Sequence, residues 1–201
     1  MSRATRSSPE LGWPLACCLV ALLAVGCGED RGASTHAAPE TPAEEAPSFV
    51  PIAGGVGWSV EEPFVRARPE NDMRDAQYTV DGARGVVLTV SHFDPDVGGG
   101  GGVDRNVNRW VGQFERPSGS NPAVEEREIN DLDVTTIDVA GTFVGRQGMG
   151  PGGPPRQNWR LLGAIVEGPN GLVFFKLLGP AEGVSTALDG FNELVRSIHP
   201  A

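Results

Sequence analysis

Lysine is almost missing from this chain: Lys176 is the only one, so arginine supplies every other basic side chain. Tyrosine occurs once, at Tyr78. The three histidines are His36, His92 and His199, and the three cysteines are Cys17, Cys18 and Cys27. Beyond Cys27 there can be no internal disulfide, no cysteine-based metal site and no catalytic thiol. Nucleophilic catalysis finds little support either. His92 and His199 are the only histidines past His36, and Ser59 in "GWSVE" lacks the closing glycine of a nucleophile elbow. Long apolar runs are also scarce. Leu11 to Gly26 is the only one, and it falls short of the ~20 residues that cross a bilayer as a helix. Basic charge is in deficit, with a net charge of −10. Such a chain repels phosphate backbones and anionic lipid surfaces, which argues against nucleic acid as a partner.

What is present at the start is an address. Arg3 and Arg6 precede the apolar run, and small residues close it, which is the layout of a secretory signal. Leu23-Ala24-Val25-Gly26-Cys27 resembles the lipobox of bacterial lipoproteins, with Ala24 standing where that family more often has Leu. The resemblance implies lipid transfer to the Cys27 thiol, cleavage before it, and N-acylation. The competing reading is a plain secretory signal with an accidental cysteine. Gly28 after the acylated cysteine, in place of Asp, resembles sorting to the outer membrane. Residues 1–26 are thus expected to be a signal peptide, with the protein held in the cell envelope, facing periplasm or exterior. The leader carries Arg3, Arg6 and Glu10, a net +1, so the mature chain carries −10 − 1 = −11. Attachment then falls to the acyl chains, at about 0.8 kcal/mol per buried methylene.

Residues 27–48 hold almost no large apolar side chain; Pro, Ala and Glu dominate. Such a segment cannot offset its ordering entropy and is predicted to be a disordered tether, with a coil reach on the order of 25 Å. His36 lies in it. Residues 49–201 are enough for one ordinary domain. Without disulfides, that domain must stand on its hydrophobic core.

Within it, "VGWSVEEP" reads as a strand, and "DAQYTV" and "ARGVVLTVSHF" as two more joined at Asp81-Gly82. Val103 to Glu115 reads as a helix whose stripe is Val103, Val107, Trp110, Val111 and Phe114. "AVEEREI" and "DVTTIDVAGTFV" flank a tight turn at Asn130-Asp131. "NWRLLGAIVE" and "GLVFFKLL" flank Gly168-Pro169-Asn170-Gly171. Pro180 to Ile198 reads as one helix, with Pro180 suited to its first turn. "LVFFKLL" is apolar on both faces, the mark of a central strand covered on both sides. Strands, helix, four hairpin strands and helix make α+β with a largely antiparallel sheet covered by two helices.

That order resembles the PsbP-like α/β/α sandwich. The segments "NVNRWVGQF", "GAIVEGPNGLVFFKLLGP" and "MRDAQYTV" also resemble blocks in uncharacterised bacterial lipoproteins near that family. The resemblance implies binding to proteins and not catalysis.

The most enzyme-like stretch is "VGGGGGVDRNVNRWVGQF", Val97–Phe114. A phosphate loop needs Lys and Ser or Thr after its last glycine, and here Val103-Asp104-Arg105 follow. Asp104 would also occupy the helix N-terminus that an anion needs. The run therefore reads as a pliable connector. His92, Asp94 and Asp96 alternate at a strand end and form the one weak set of metal candidates, which Pro95 interrupts. As a calcium loop, "DPDVGGG" fails: Gly98 replaces an acidic ligand, and Arg105 stands where the bidentate Glu belongs. In "GRQGMGPGGPPRQN", prolines forbid the helix that a dinucleotide loop must open. Arg146, Arg156 and Arg160 border this loop, while Arg105 and Arg109 lie on the first helix's polar face. In so acidic a chain, Arg105, Arg109, Arg146 and Arg156 mark a contact site for a carboxylate-bearing partner, or else ordinary surface ion pairs. Lys176 interrupts an apolar strand face, as a strand-end lysine reaching water or as a desolvated one.

The expectation is a lipid-anchored exported protein with a non-catalytic binding or assembly domain. It needs no cofactor and no catalytic residue. Its partners are the membrane, through Cys27, and a protein of the envelope. The alternative is an envelope enzyme, a metal-assisted hydrolase using His92, Asp94 and Asp96.

Overall fold

Side chains in an extended strand point alternately to opposite faces, and in this domain both faces are put to use. The structure is a computed structural model that describes residues 51–97, 100–145 and 153–201. The leader, Cys27, the expected tether and Arg146 lie outside the described residues.

The main sheet is built from β3 (Phe64–Ala67), β4 (Ala76–Val80), β5 (Ala83–Phe93), β6 (Phe114–Glu115), β7 (Ala123–Ile129), β8 (Leu132–Phe143), β9 (Arg156–Gly168) and β10 (Gly171–Pro180). Its order is β3-β4-β5-β10-β9-β8-β6, with β7 also paired to β8. Every pairing is antiparallel. A small second sheet joins β1 (Ile52–Ala53), β2 (Val56–Gly57) and β11 (His199–Pro200). The strand expected across "VGWSVEEP" is thus only the two residues of β2, outside the main sheet. The first main-sheet strand is β3, whose four residues are too few to show a pattern.

The centre is β5-β10-β9-β8, long strands joined mostly by hairpins. The β7–β8 turn works because Asn130 and Asp131 both adopt positive φ, 48° and 64°, the geometry that matches strand twist. The Asn130 side-chain amide then donates to the Ile198 carbonyl at 2.6 Å, tying the hairpin to the chain's last turn.

One face of β10 carries Val173, Phe175 and Leu177 into a cluster with Leu88, Val90, Val166 and Trp58. The Trp58 and Phe175 rings meet edge to face at 5.0 Å. This side is covered by α2 (Ala181–Thr186) and α3 (Leu188–Ser197), through Val184, Phe191, Leu194 and Val195. The expected single helix is therefore two. The hydroxyls of Ser185 and Thr186 bond back to the carbonyls of Ala181 and Gly183, competing with the helical ladder. The chain then turns at Ala187 (φ −96°, ψ 5°), which is wholly buried. Pro180 ends β10 and caps α2 from outside its first turn.

The other face of β9 and β10 carries Leu161, Ile165 and Phe174 into a second cluster with Trp110, Phe114, Ile137 and Val139. Its cover is α1, Val103–Val111. This helix stops short of the expected Glu115: Gly112 caps it, and Phe114–Glu115 leave it to pair with Phe143 and Thr142 of β8. Phe114 still joins the same apolar cluster, so the stripe was right while the helix boundary was not. The fold is α+β, a mainly antiparallel sheet between two helical layers.

Candidate functional site

Trp110 decides where α1 sits. An ideal Cβ built on Gly163 of β9 would collide with the Trp110 ring, so only glycine lets the indole rest on the strand backbone. Lys176 of β10 is the register partner of Gly163, which brings its ammonium 5.6 Å from the Trp110 ring centre. Lys176 is therefore a mid-strand residue, not the strand-end lysine expected. Its Nζ donates to Gln113 Oε1 at 2.7 Å.

Beside this pair, between the last turn of α1 and the turn at residues 71–74, lies a cavity of about 240 Å³. Its cations are Arg74, Arg109 and Lys176. Phe93, Trp110 and Phe174 supply an aromatic wall, with Phe174 edge to face against both other rings, at 5.5 and 5.9 Å. Thr89 and Ser91 of β5, Met73 and the amides of Asn71 and Gln113 complete the lining among the described residues. Among the described residues, no Asp or Glu lines it. Arg109 is oriented by Asn106, whose Oδ1 accepts from it at 2.6 Å. Arg74 donates to Gln77 Oε1 at 2.6 Å and pairs with the exposed Glu70 at 3.0 Å, outside the lining.

Asn106 also explains the glycine run. It is buried, and its amide nitrogen donates to the carbonyls of Gly100, Gly101 and Gly102 at 2.5, 3.2 and 3.1 Å. Gly100, Gly101 and Gly102 therefore turn carbonyl oxygens onto an amide, the opposite polarity to a phosphate cradle. A polar residue on an apolar helical stripe was the available signal, because a buried amide must find partners.

The other described arginines of the expected group do not gather here. Arg105 is exposed on α1 and lines no part of the cavity. Arg156 stacks over Trp159 at 4.6 Å, at the start of β9. Arg160 makes a two-pronged pair with Asp138, at 2.9 and 2.6 Å, and reaches Ser185 of α2 at 2.8 Å. Those bonds hold its guanidinium above its ordinary value, and they make it a tie between sheet and helix. Of the described members of the expected group, Arg105, Arg109 and Arg156, only Arg109 lines the cavity.

The metal candidates are also separated in role. The His92 ring nitrogen Nε2 bonds the Asn170 carbonyl at 2.8 Å, and the His92 backbone N–H donates to Asp75 at 2.7 Å. Asp94 accepts from the Asp96 backbone N–H at 2.8 Å within a short 3-10 turn, Pro95–Val97. Among the described residues, no three His, Cys, Asp or Glu side chains gather as a metal site requires. A second concavity, about 510 Å³, borders the opposite end of α1 and carries Asp104, Glu126, Asp133 and Glu167 beside Arg127. The two ends of α1 thus face cavities of opposite charge. No helix among the described residues is long and apolar enough to cross a membrane.

No family model matches the chain, and no curated protein matches it either. Among solved structures it is similar to the solution structure of cyanobacterial PsbP (CyanoP) from Synechocystis sp. PCC 6803. The TM-score is 0.46 and the identity 14%, over 74% of this chain and 88% of that one. What the cavity takes has to be argued from this chain's own residues.

Proposed function

We propose that this protein is an exported lipoprotein, anchored through acyl chains on Cys27, whose domain binds an anionic group of an envelope partner and catalyses nothing. One observation carries the reading: three cations from three separate elements converge on one aromatic-walled cavity where, among the described residues, no acid lines the wall, in a chain of net charge −10. Charge-assisted hydrogen bonds to a carboxylate are about twice as strong as neutral ones, and a partly enclosed site strengthens them further. Binding is favoured over hydrolysis because the His92 ring is engaged by the Asn170 carbonyl, the Asp94 carboxylate by the Asp96 backbone N–H, and the three form no metal-type cluster.

Two measurements test this. In-cell crosslinking with mass spectrometry should return one recurrent envelope partner, captured far less by a Lys176→Met variant. Metal analysis of the purified chain gives the opposing outcome: stoichiometric metal that disappears in His92→Ala would overturn the binding reading in favour of a metal-assisted hydrolase.

A further inference from the structure

Resting on that reading, we infer that the cavity between α1 and β10 recognises a carboxylate monoanion joined to one apolar body of residue size.

The size comes first. A volume of about 240 Å³ lies below the ~300–1,000 Å³ of pockets that take drug-sized ligands. It admits a group the size of one side chain, not a nucleotide. The chemistry comes from the lining. Phe93, Trp110 and Phe174 pack edge to face along one wall, Trp110 and Phe174 almost wholly buried and Phe93 partly open, and with Met73 they make that wall apolar, which favours an apolar or ring-bearing body. Lys176 and Arg109 stand beside that surface, so head and body are read together.

The helix end bears on the charge. The cavity meets the last turn of α1, through Arg109 and Trp110, and Gln113 beyond it. A helix C-terminus carries roughly half a negative charge, and Glu70 offsets part of Arg74 from outside. The cations therefore serve the helix end as well as a guest. Phosphate recognition ordinarily draws on backbone N–H groups at a helix N-terminus. The N-terminus of α1 instead borders the acidic concavity, and its glycine carbonyls are turned onto Asn106. Two sources share the inferred chemistry: a free aromatic or branched-chain acid, or the C-terminal residue of a protein.

Calorimetric titration of the full chain in detergent micelles tests this with five probes. These are phenylacetate, acetate, inorganic phosphate, and a short peptide ending in Phe with its terminus either free or amidated. Phenylacetate and the free-terminus peptide should bind at least about tenfold more tightly than acetate or the amidated peptide. If the peptide exceeds phenylacetate, the source is a chain terminus; if the reverse, it is a free acid. Lys176→Met should weaken the better probe by about ten- to a hundredfold. Arg109→Gln should do so by a similar factor even if the first variant folds poorly. Arg156→Ala, outside the cavity, should leave binding unchanged. Phosphate or acetate binding as tightly as phenylacetate would overturn the ligand class while leaving an anion-binding domain in place. No heat from any probe would overturn the inference, and the crosslinking result would still decide the broader reading on its own.

Discussion

Asn106 bonds to both the end of the glycine run and Arg109. Replacing it with alanine takes its amide from the Gly100 and Gly101 carbonyls, while the Gly102 carbonyl keeps the residue-106 backbone N–H, and removes one hydrogen bond from Arg109. The expected cost is about 2–3 kcal/mol, measured as a lower urea midpoint. Asn106→Asp should cost more, because an ionised carboxylate cannot donate to those carbonyls. Tyr78 offers a separate readout. It is buried, and burial pushes its phenol above the ordinary value, against the opposing influences of the Trp58 indole and the Arg66 charge. The folded state therefore keeps the proton longer than the unfolded chain. Its stabilising contribution is fully present below about pH 10 and is lost as pH rises through the raised value. Because Tyr78 is the only tyrosine, tyrosinate absorbance reports it alone. The expected result is a titration above that of free tyrosine, with a falling urea midpoint over the same range. A titration at or below that of free tyrosine would contradict it.

Gly163 and Trp110 set the seat of α1 against the sheet. Gly163→Ala inserts a methyl into the indole's place. Overpacking of this kind costs about 1–3 kcal/mol, and the helix must lift or the ring must turn. The double variant Gly163→Ala with Trp110→Leu should recover part of that loss in a double-mutant cycle, since the two groups share one volume. Simple additivity would show that the contact is not what positions the helix. The same logic explains which elements were legible beforehand. The stripe of α1, the two-sided β10 and the Asn130-Asp131 turn follow from local periodicity and turn chemistry. The end of α1 at Val111 does not, because β8 offers Phe114 and Glu115 a pairing edge that lies far off in sequence. The split between α2 and α3 likewise depends on burying Ala187 and Val184 under the sheet, which no helical pattern announces.

For the molecule in its compartment, charge and anchorage act together. A chain of net charge −10 has little electrostatic affinity for anionic headgroups, so the proposed residence at a membrane depends on the acyl chains proposed for Cys27. Cys27→Ala should therefore move the protein from the membrane to the soluble fraction on cell fractionation, and abolish labelling by radioactive palmitate. Persistent labelling of that variant would refute the lipobox assignment. The local cluster of Arg74, Arg109 and Lys176 gains selectivity from the same background. The net charge of −10 repels anions in general, while the proposed guest also brings apolar surface to the aromatic wall.

Composition and periodicity alone settled the fold class and the short-range turns, and they set the address and tether as expectations, because those depend on neighbours a few residues apart. They also showed that Lys176 is unusual, without showing what it faces. The cavity itself came from tertiary pairing. Antiparallel register sets Lys176 beside Gly163, the missing side chain of Gly163 admits Trp110, and the seat of Trp110 carries Arg109 to the rim. Arg74 arrives there from a turn about a hundred residues earlier than Lys176 in the chain. Charges so far apart in sequence become one site only when sheet register and helix packing bring them to the same face, and neither is a local property of the chain.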